Sequence, residues 1–148
     1  MKISTRVQYG VLALADIALY SEDGTSVSGP DIAERQDISQ KYLEQILTHL
    51  KQAGLIRAQK GMRGGYTLSR PADRISIADI LNALDTGILE PQDEYEDGEG
   101  SSLRGAVDRC LWEKMNGLLI GYAKQKTLSG LMQECRSQVS GEWDLYVI

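Results

Sequence analysis

Residues 39–66 read SQKYLEQILTHLKQAGLIRAQKGMRGGY. Ser39 stands where a helix cap is expected, its short oxygen-bearing side chain suited to the first free backbone N–H groups. Leu43, Ile46, Leu47 and Leu50 then fall at i, i+3, i+4 and i+7, one apolar face of a helix. Lys41, Gln45, Thr48 and Gln52 point the other way, with Gln40 and Glu44 beside them, and Gly54 supplies a C-terminal stop. Leu55–Lys60 and Tyr66–Arg70 are two short β-like runs flanking Gly61-Met62-Arg63-Gly64-Gly65. This spacing predicts a hairpin with a flexible basic tip.

The flanks complete the plan. Upstream, residues 6–20 are continuous helix formers, with Val7, Val11, Leu14 and Ala18 on one stripe and Leu12, Ile17 and Leu19 widening it. Ser21-Glu22-Asp23-Gly24 ends this helix, and Ser28-Gly29-Pro30-Asp31 opens a short one in the manner of a capping box. Ile32 and Ala33 face inward, and the helix stops near Gln36-Asp37. Downstream, Pro71 closes the hairpin, and Ser76-Ile77-Ala78-Asp79 is a second capping box before Ile77, Ile80, Leu81 and Leu84 at helical spacing.

Residues 90–100 are acidic and nearly devoid of apolar side chains, a loop or linker. A long helix is expected from Ser102 to about Lys124. Val107, Leu111, Met115, Leu118 and Tyr122 form its stripe, and Leu119 and Ile120 broaden it. That apolar load is large for one exposed helix and calls for a partner surface. Thr127 caps a last helix with Leu128, Leu131, Met132 and Cys135 on one face, and Trp143, Leu145 and Val147 alternate in a strand-like tail, 142–148. The expected fold is therefore mostly α with a small β-wing, a winged helix-turn-helix plus a long C-terminal helix, which the resemblance described below makes a dimerisation helix. Three regions follow: residues 1–89 as the DNA-binding domain, 90–101 as the acidic loop, and 102–148 as that long helix with the C-terminal helix and tail.

Composition bounds the function. The 148 residues, 42% of them apolar, suffice for a real core. No apolar run is long enough to span a bilayer, and residues 1–6 carry no apolar signal core, so a cytoplasmic location is expected. One His, no phosphate-cradling glycine fingerprint and no nucleophile motif argue against an enzyme. The net charge of −5 is unevenly spread. Residues 1–90 hold 10 basic and 11 acidic side chains, and 91–148 hold 6 and 10. Residues 51–74 carry six basic groups (Lys51, Arg57, Lys60, Arg63, Arg70, Arg74) against Asp73 alone, a strip able to meet phosphate.

A major groove admits one helix, so that helix must be polar outward and anchored inward. Ser39, Gln40, Lys41 and Tyr42, with Glu44, Gln45 and Thr48 one turn on, are the candidate readers of base edges and phosphates. Lys60, Arg63 and Gly64 at the hairpin tip, with Lys2 near the N-terminus, are the other candidate contacts. His49 lies beside that face, where a phosphate contact or a solvated surface position are both open.

Several motifs carry a resemblance. Met1-Lys2-Ile3-Ser4-Thr5, Tyr42-Leu43-Glu44-Gln45, Gly64-Gly65-Tyr66, Leu111-Trp112 and Thr127-Leu128 resemble the Rrf-type family of bacterial regulators over nearly the whole chain. The resemblance implies a homodimer held by the long helix, with two winged domains on a pseudo-palindromic double-stranded DNA site. Cluster-binding branches of that family place three cysteines in the loop before the dimer helix. Here that loop has none; aligned on Leu111-Trp112, the third Cys falls at Ala106 and the usual His at Arg109. The acidic loop and the ending Tyr146-Val147-Ile148 resemble instead the branch that represses cysteine-metabolism genes, whose protein partner is cysteine synthase. No cofactor and no metal are expected, because Cys110 and Cys135 alone cannot supply the usual cluster ligands. An iron–sulfur or redox-sensing regulator with unusual ligands is the alternative. Cys110 reads as a half-buried helix packer or a redox thiol, Cys135 as a core packer, and Trp112 and Trp143 as core or interface aromatics.

Overall fold

The computed structural model describes residues 3–89 and 102–139. Helix α1 (Thr5–Tyr20) starts under Ser4, whose side chain accepts from the Val7 N–H. Helix α2 (Gly29–Gln36) starts under Ser28, which accepts from the Asp31 N–H with Pro30 in the first turn. Asp37 ends α2 in the left-handed region, at φ 54°. Ser39 caps α3 (Gln40–Gln52) by accepting from the Tyr42 N–H. Gly54, at φ 76°, turns the chain out of α3 into β1 (Ile56–Gln59), a conformation glycine adopts without steric cost. Strand β2 (Gly65–Leu68) pairs antiparallel with β1, Ile56 opposite Leu68 and Gln59 opposite Gly65.

A third strand position completes the wing. Val27, just before α2, bridges Tyr66 through two backbone hydrogen bonds of 2.9 and 2.8 Å. No alternation surrounds Val27, so the sequence gives no signal for it. After a short 3-10 turn (Ala72–Arg74), α4 (Ile77–Leu84) opens under a fully reciprocal capping box. Ser76 accepts from the Asp79 N–H, and the Asp79 carboxylate accepts from the Ser76 N–H.

The core forms where α1, α3, α4 and the hairpin meet. Leu14, Ile17, Ile32, Leu43, Ile46, Leu47, Leu50, Leu55, Ile56, Ile75 and Ile80 are all within 2% of full burial. Each such side chain is worth about 1.5–3 kcal/mol on leaving water, which is why α3 holds its place. One polar group joins them. Asp16 on α1 has a fully buried side chain and accepts from Arg35 twice, at 3.0 and 2.9 Å, and from Gln36 at 2.9 Å. The guanidinium also lies over the Tyr20 ring at 4.0 Å. Its hydrogen bond to Asp16 raises the Arg35 pKa further above its already high value, so α2 is tied to α1 by a charged fork.

The long helix departs from expectation in two ways. It runs as α5 (Leu103–Val107), a π-helical turn (Asp108–Trp112) and α6 (Glu113–Gln125) rather than as one regular α-helix. The Glu113 N–H reaches back to the Asp108 carbonyl, one residue farther than an α-helix allows. Its apolar residues also divide between two faces. Leu119, Ile120 and Ala123 do not broaden the outer stripe; they pack with Ala78 and Leu89 in a second cluster against α4. The sequence pattern alone could not separate these faces, because both fit helical spacing.

Helix α7 (Leu128–Gln138) returns to the main core under a Thr127 cap. Leu128 and Met132 are buried there, and two 2.8 Å backbone bonds, Ile77 N–H to Lys126 and Leu128 N–H to Ile75, stitch the segments together. Cys135 is half-buried rather than a full core residue. The tail 142–148 with Trp143, the acidic run 93–99 and Lys2 lie outside the described residues.

Replacing Asp16 by Ala leaves the Arg35 guanidinium, 28% exposed, without its carboxylate. We expect a loss of about 2–3 kcal/mol, at the low end for a buried pair because Arg35 reaches water. Urea unfolding should show a lower midpoint at unchanged slope.

Candidate nucleic-acid interface

The polar face of α3 is laid open by the burial of the opposite one. Ser39, Gln40, Lys41, Glu44, Gln45 and Thr48 are all exposed, while Leu43, Ile46, Leu47 and Leu50 close on the core. The Thr48 hydroxyl donates to the Glu44 carbonyl at 2.8 Å, leaving its methyl and an oxygen lone pair outward. Tyr42 differs from its neighbours. It is half-buried, with its ring edge-on to Tyr9 at 5.9 Å between centroids, so it braces the start of α3 against α1. His49 is half-buried beside the same face.

The hairpin tip carries Lys60 and Arg63, both exposed. Its backbone is held in place although its side chains are free to reach. The Ser26 hydroxyl donates to the Arg63 carbonyl at 2.6 Å, and the Gly64 N–H donates to the Gly61 carbonyl at 2.9 Å. Gly65 is required by close approach: a Cβ there would lie 2.5 Å from the Val27 carbonyl oxygen. Sequence reasoning singled out the cations but missed Ser26 and Val27, which position the wing, and Tyr9, which braces Tyr42. A lone Ser or Val in a loop has no periodic signature.

The molecule thus exposes a helix rich in polar donors and acceptors and a glycine-backed basic wing. Residues 3–134 match the family described as Rrf2, iron-dependent transcriptional regulators. The chain belongs to the Rrf2 family. An HTH-type transcriptional regulator of Synechocystis sp., slr0846, is 38% identical over 137 residues, 93% of this chain and 91% of that protein. Among solved structures, CymR (YrzC), described as the global cysteine regulator of B. subtilis, has a TM-score of 0.78 at 30% identity. It covers 90% of this chain and 98% of its own. IscR of T. potens has a TM-score of 0.76 at 29% identity, over 99% of this chain and 96% of its own. This Rrf2 member is accordingly a DNA-binding transcription regulator with a winged helix-turn-helix, and its relatives are regulators rather than enzymes.

The family description names iron, and the donor set of this chain does not fit an iron–sulfur cluster. The sequence has two cysteines, and residues 90–101 contain neither. Cys110 is exposed on the π-helical turn and Cys135 is half-buried on α7. Among the described residues no group of three or more His, Cys, Asp or Glu side chains converges. Soft iron–sulfide cores take three or four mostly thiolate ligands. The exposure of Cys110 corrects the half-buried packing expected for it. Arg109 through Met115 are all exposed.

Lys60→Ala and Arg63→Ala should each lower the slope of log affinity against log salt by about 1 if each side chain neutralises one phosphate. Thermal unfolding should stay unchanged, because both residues are exposed. Gly65→Ala should instead weaken DNA binding and lower the melting temperature together, as the Val27–Tyr66 pairing is pushed apart. Fluorescence anisotropy across a salt series and thermal scans separate the two outcomes.

Proposed function

We propose that this regulator is a homodimeric, cluster-free repressor of cysteine or sulfur-metabolism genes, reading a pseudo-palindromic site through Ser39–Thr48 and the wing. The observation that carries the dimer is the uncovered outer face of the long helix. Val107, Leu111, Met115, Leu118 and Tyr122 are 40–77% exposed, with Leu118 and Tyr122 at 77% and 62%, and Trp112 stands beside them at 49%. A monomer would leave this contiguous apolar strip in water. Its natural cover is the same strip of a second copy, an isologous contact in which each protomer meets the other's identical patch. Gly117 and Gly121 on the same helix have open space over them, which lets a partner side chain approach the backbone.

The dimer supplies the reading geometry. Two α3 helices related by a twofold axis can enter successive major grooves about 34 Å apart, and neither half-site alone binds as tightly. Lys2 and Gly64 extend the contact by backbone or side-chain approach to phosphates. The cysteine assignment is supported by the likeness to the B. subtilis cysteine regulator and by the lack of loop thiolates. On this reading the signal arrives through a protein partner or a small metabolite, with cysteine synthase the partner the branch suggests.

A second reading is favoured by two observations, the likeness to IscR and the exposed Cys110. It makes the protein an iron–sulfur or redox sensor whose ligands include thiols pooled across a dimer. Anaerobic purification with iron and sulfide analysis decides between the two. The first reading expects a colourless protein with substoichiometric iron. Stoichiometric iron and sulfide, lost in Cys110→Ala, would establish the second.

Leu118→Asp should convert the dimer to monomer in sedimentation velocity, because it places a charge in an apolar seam. DNA affinity should fall by at least about 100-fold as two linked half-site contacts become one. A variant that stays dimeric would move the interface elsewhere.

A further inference from the structure

A second concave surface lies apart from α3. A groove of about 700 Å³ runs between the C-terminal end of α1, the β1–β2 hairpin, Pro71 and one side of α7. No residue of α3 lines it.

Its charge is opposite to that of the chain. Arg57, Arg70 and Arg136 reach it, and among the described residues Glu22 is the one carboxylate in its wall, in a protein of net charge −5. Arg136 pairs with Glu22, and Arg70 pairs at 3.1 Å with Asp79, which stands outside the wall. Arg57 donates to the Ser69 carbonyl at 3.2 Å and meets no carboxylate among the described residues. Among the described residues, then, no carboxylate offsets its charge in this concave site. Thr67 lies directly opposite Arg57 in the hairpin register, which places a hydroxyl on the same sheet face, and Ser129 brings another from α7. Pro71 and Met132 add an apolar base.

We propose that this groove binds a small organic anion, a carboxylate- or phosphate-bearing metabolite held by Arg57 and Arg136 with hydroxyl donors beside them. A planar guanidinium matches either anion with paired N–H donors, and the apolar base suits a short carbon skeleton better than a bare ion. The consequence, which rests on the regulator reading, is control of DNA binding. Arg57 sits on the strand that leads to Lys60 at the wing tip, and Arg136 sits on α7, which joins the long helix at Thr127. A ligand bridging them couples wing position to the C-terminal helices, and occupancy and operator affinity then shift one another by the same factor.

The test is titration of the isotope-labelled, DNA-free protein with citrate, glucose 6-phosphate and inorganic phosphate, followed by amide NMR. We expect saturable shifts at residues 57–59, 67–70 and 129–136 with at least one organic anion. Arg57→Gln should weaken that binding by about tenfold or more, and Arg57→Lys by less, while both variants keep the spectrum of a folded protein. No saturable shift with any probe at millimolar concentration, or equal binding by Arg57→Gln, would overturn the site. Inorganic phosphate binding as well as the organic anions would overturn the ligand class. Because no DNA is present, each of these failures leaves the DNA-reading account standing.

Discussion

The four-residue stripe Leu43, Ile46, Leu47 and Leu50 fixes what this protein can present to a duplex. All four side chains are within 2% of full burial, packed among α1, α4 and the first strand. At about 1.5–3 kcal/mol each, their removal from water outweighs the modest helix propensity of a segment as short as Gln40–Gln52. The polar face follows by geometry. With that stripe inward, Gln40, Lys41, Glu44, Gln45 and Thr48 have nowhere to go but outward. The wing depends on the same core through Ile56, buried beneath β1, while Val27 and Ser26 hold its other strand and tip. A helix able to enter a groove and a basic loop able to flank it are thus two outcomes of one packing arrangement.

Elements whose signal is periodic or carried by a capping residue were legible in the sequence. The helices under Ser28, Ser39, Ser76 and Thr127 all begin where those side chains accept backbone N–H groups. The hairpin was legible from its glycines and flanking β-formers. What escaped was whatever depends on a distant partner. The Asp16–Arg35–Gln36 fork joins positions about twenty residues apart, and nothing local marks an aspartate as buried. The Val27–Tyr66 bridge is a single residue pair. The π-helical turn at Asp108–Trp112 breaks no propensity rule, so an α-helix was the natural expectation there. The candidate readers on α3 were visible because an amphipathic helix declares both faces. Tyr42 lies in the same stretch, and its ring meets Tyr9, a contact that only the packing of α1 on α3 creates.

The long helix shows how one sequence pattern can serve two surfaces. Leu119, Ile120 and Ala123 bind it to α4 within the protomer, while Leu111, Met115, Leu118 and Tyr122 remain uncovered on the other side. The inner contact gives the outer face a fixed orientation relative to α3, which a dimer needs if two reading helices are to keep a constant spacing. Acidity concentrated after residue 90 fits this division: residues 91–148 carry the greater negative balance, while Lys60 and Arg63 stand at the wing tip.

The central claim is that α3 and the wing touch DNA while the long helix pairs protomers. Amide hydrogen exchange by mass spectrometry tests it most directly, comparing the protein alone with the protein bound to a duplex selected from a random library. The account predicts new protection confined to residues 39–48 and 60–66, with the long helix equally protected in both states. Protection appearing chiefly along residues 107–122, with α3 and the wing tip unchanged, would contradict it.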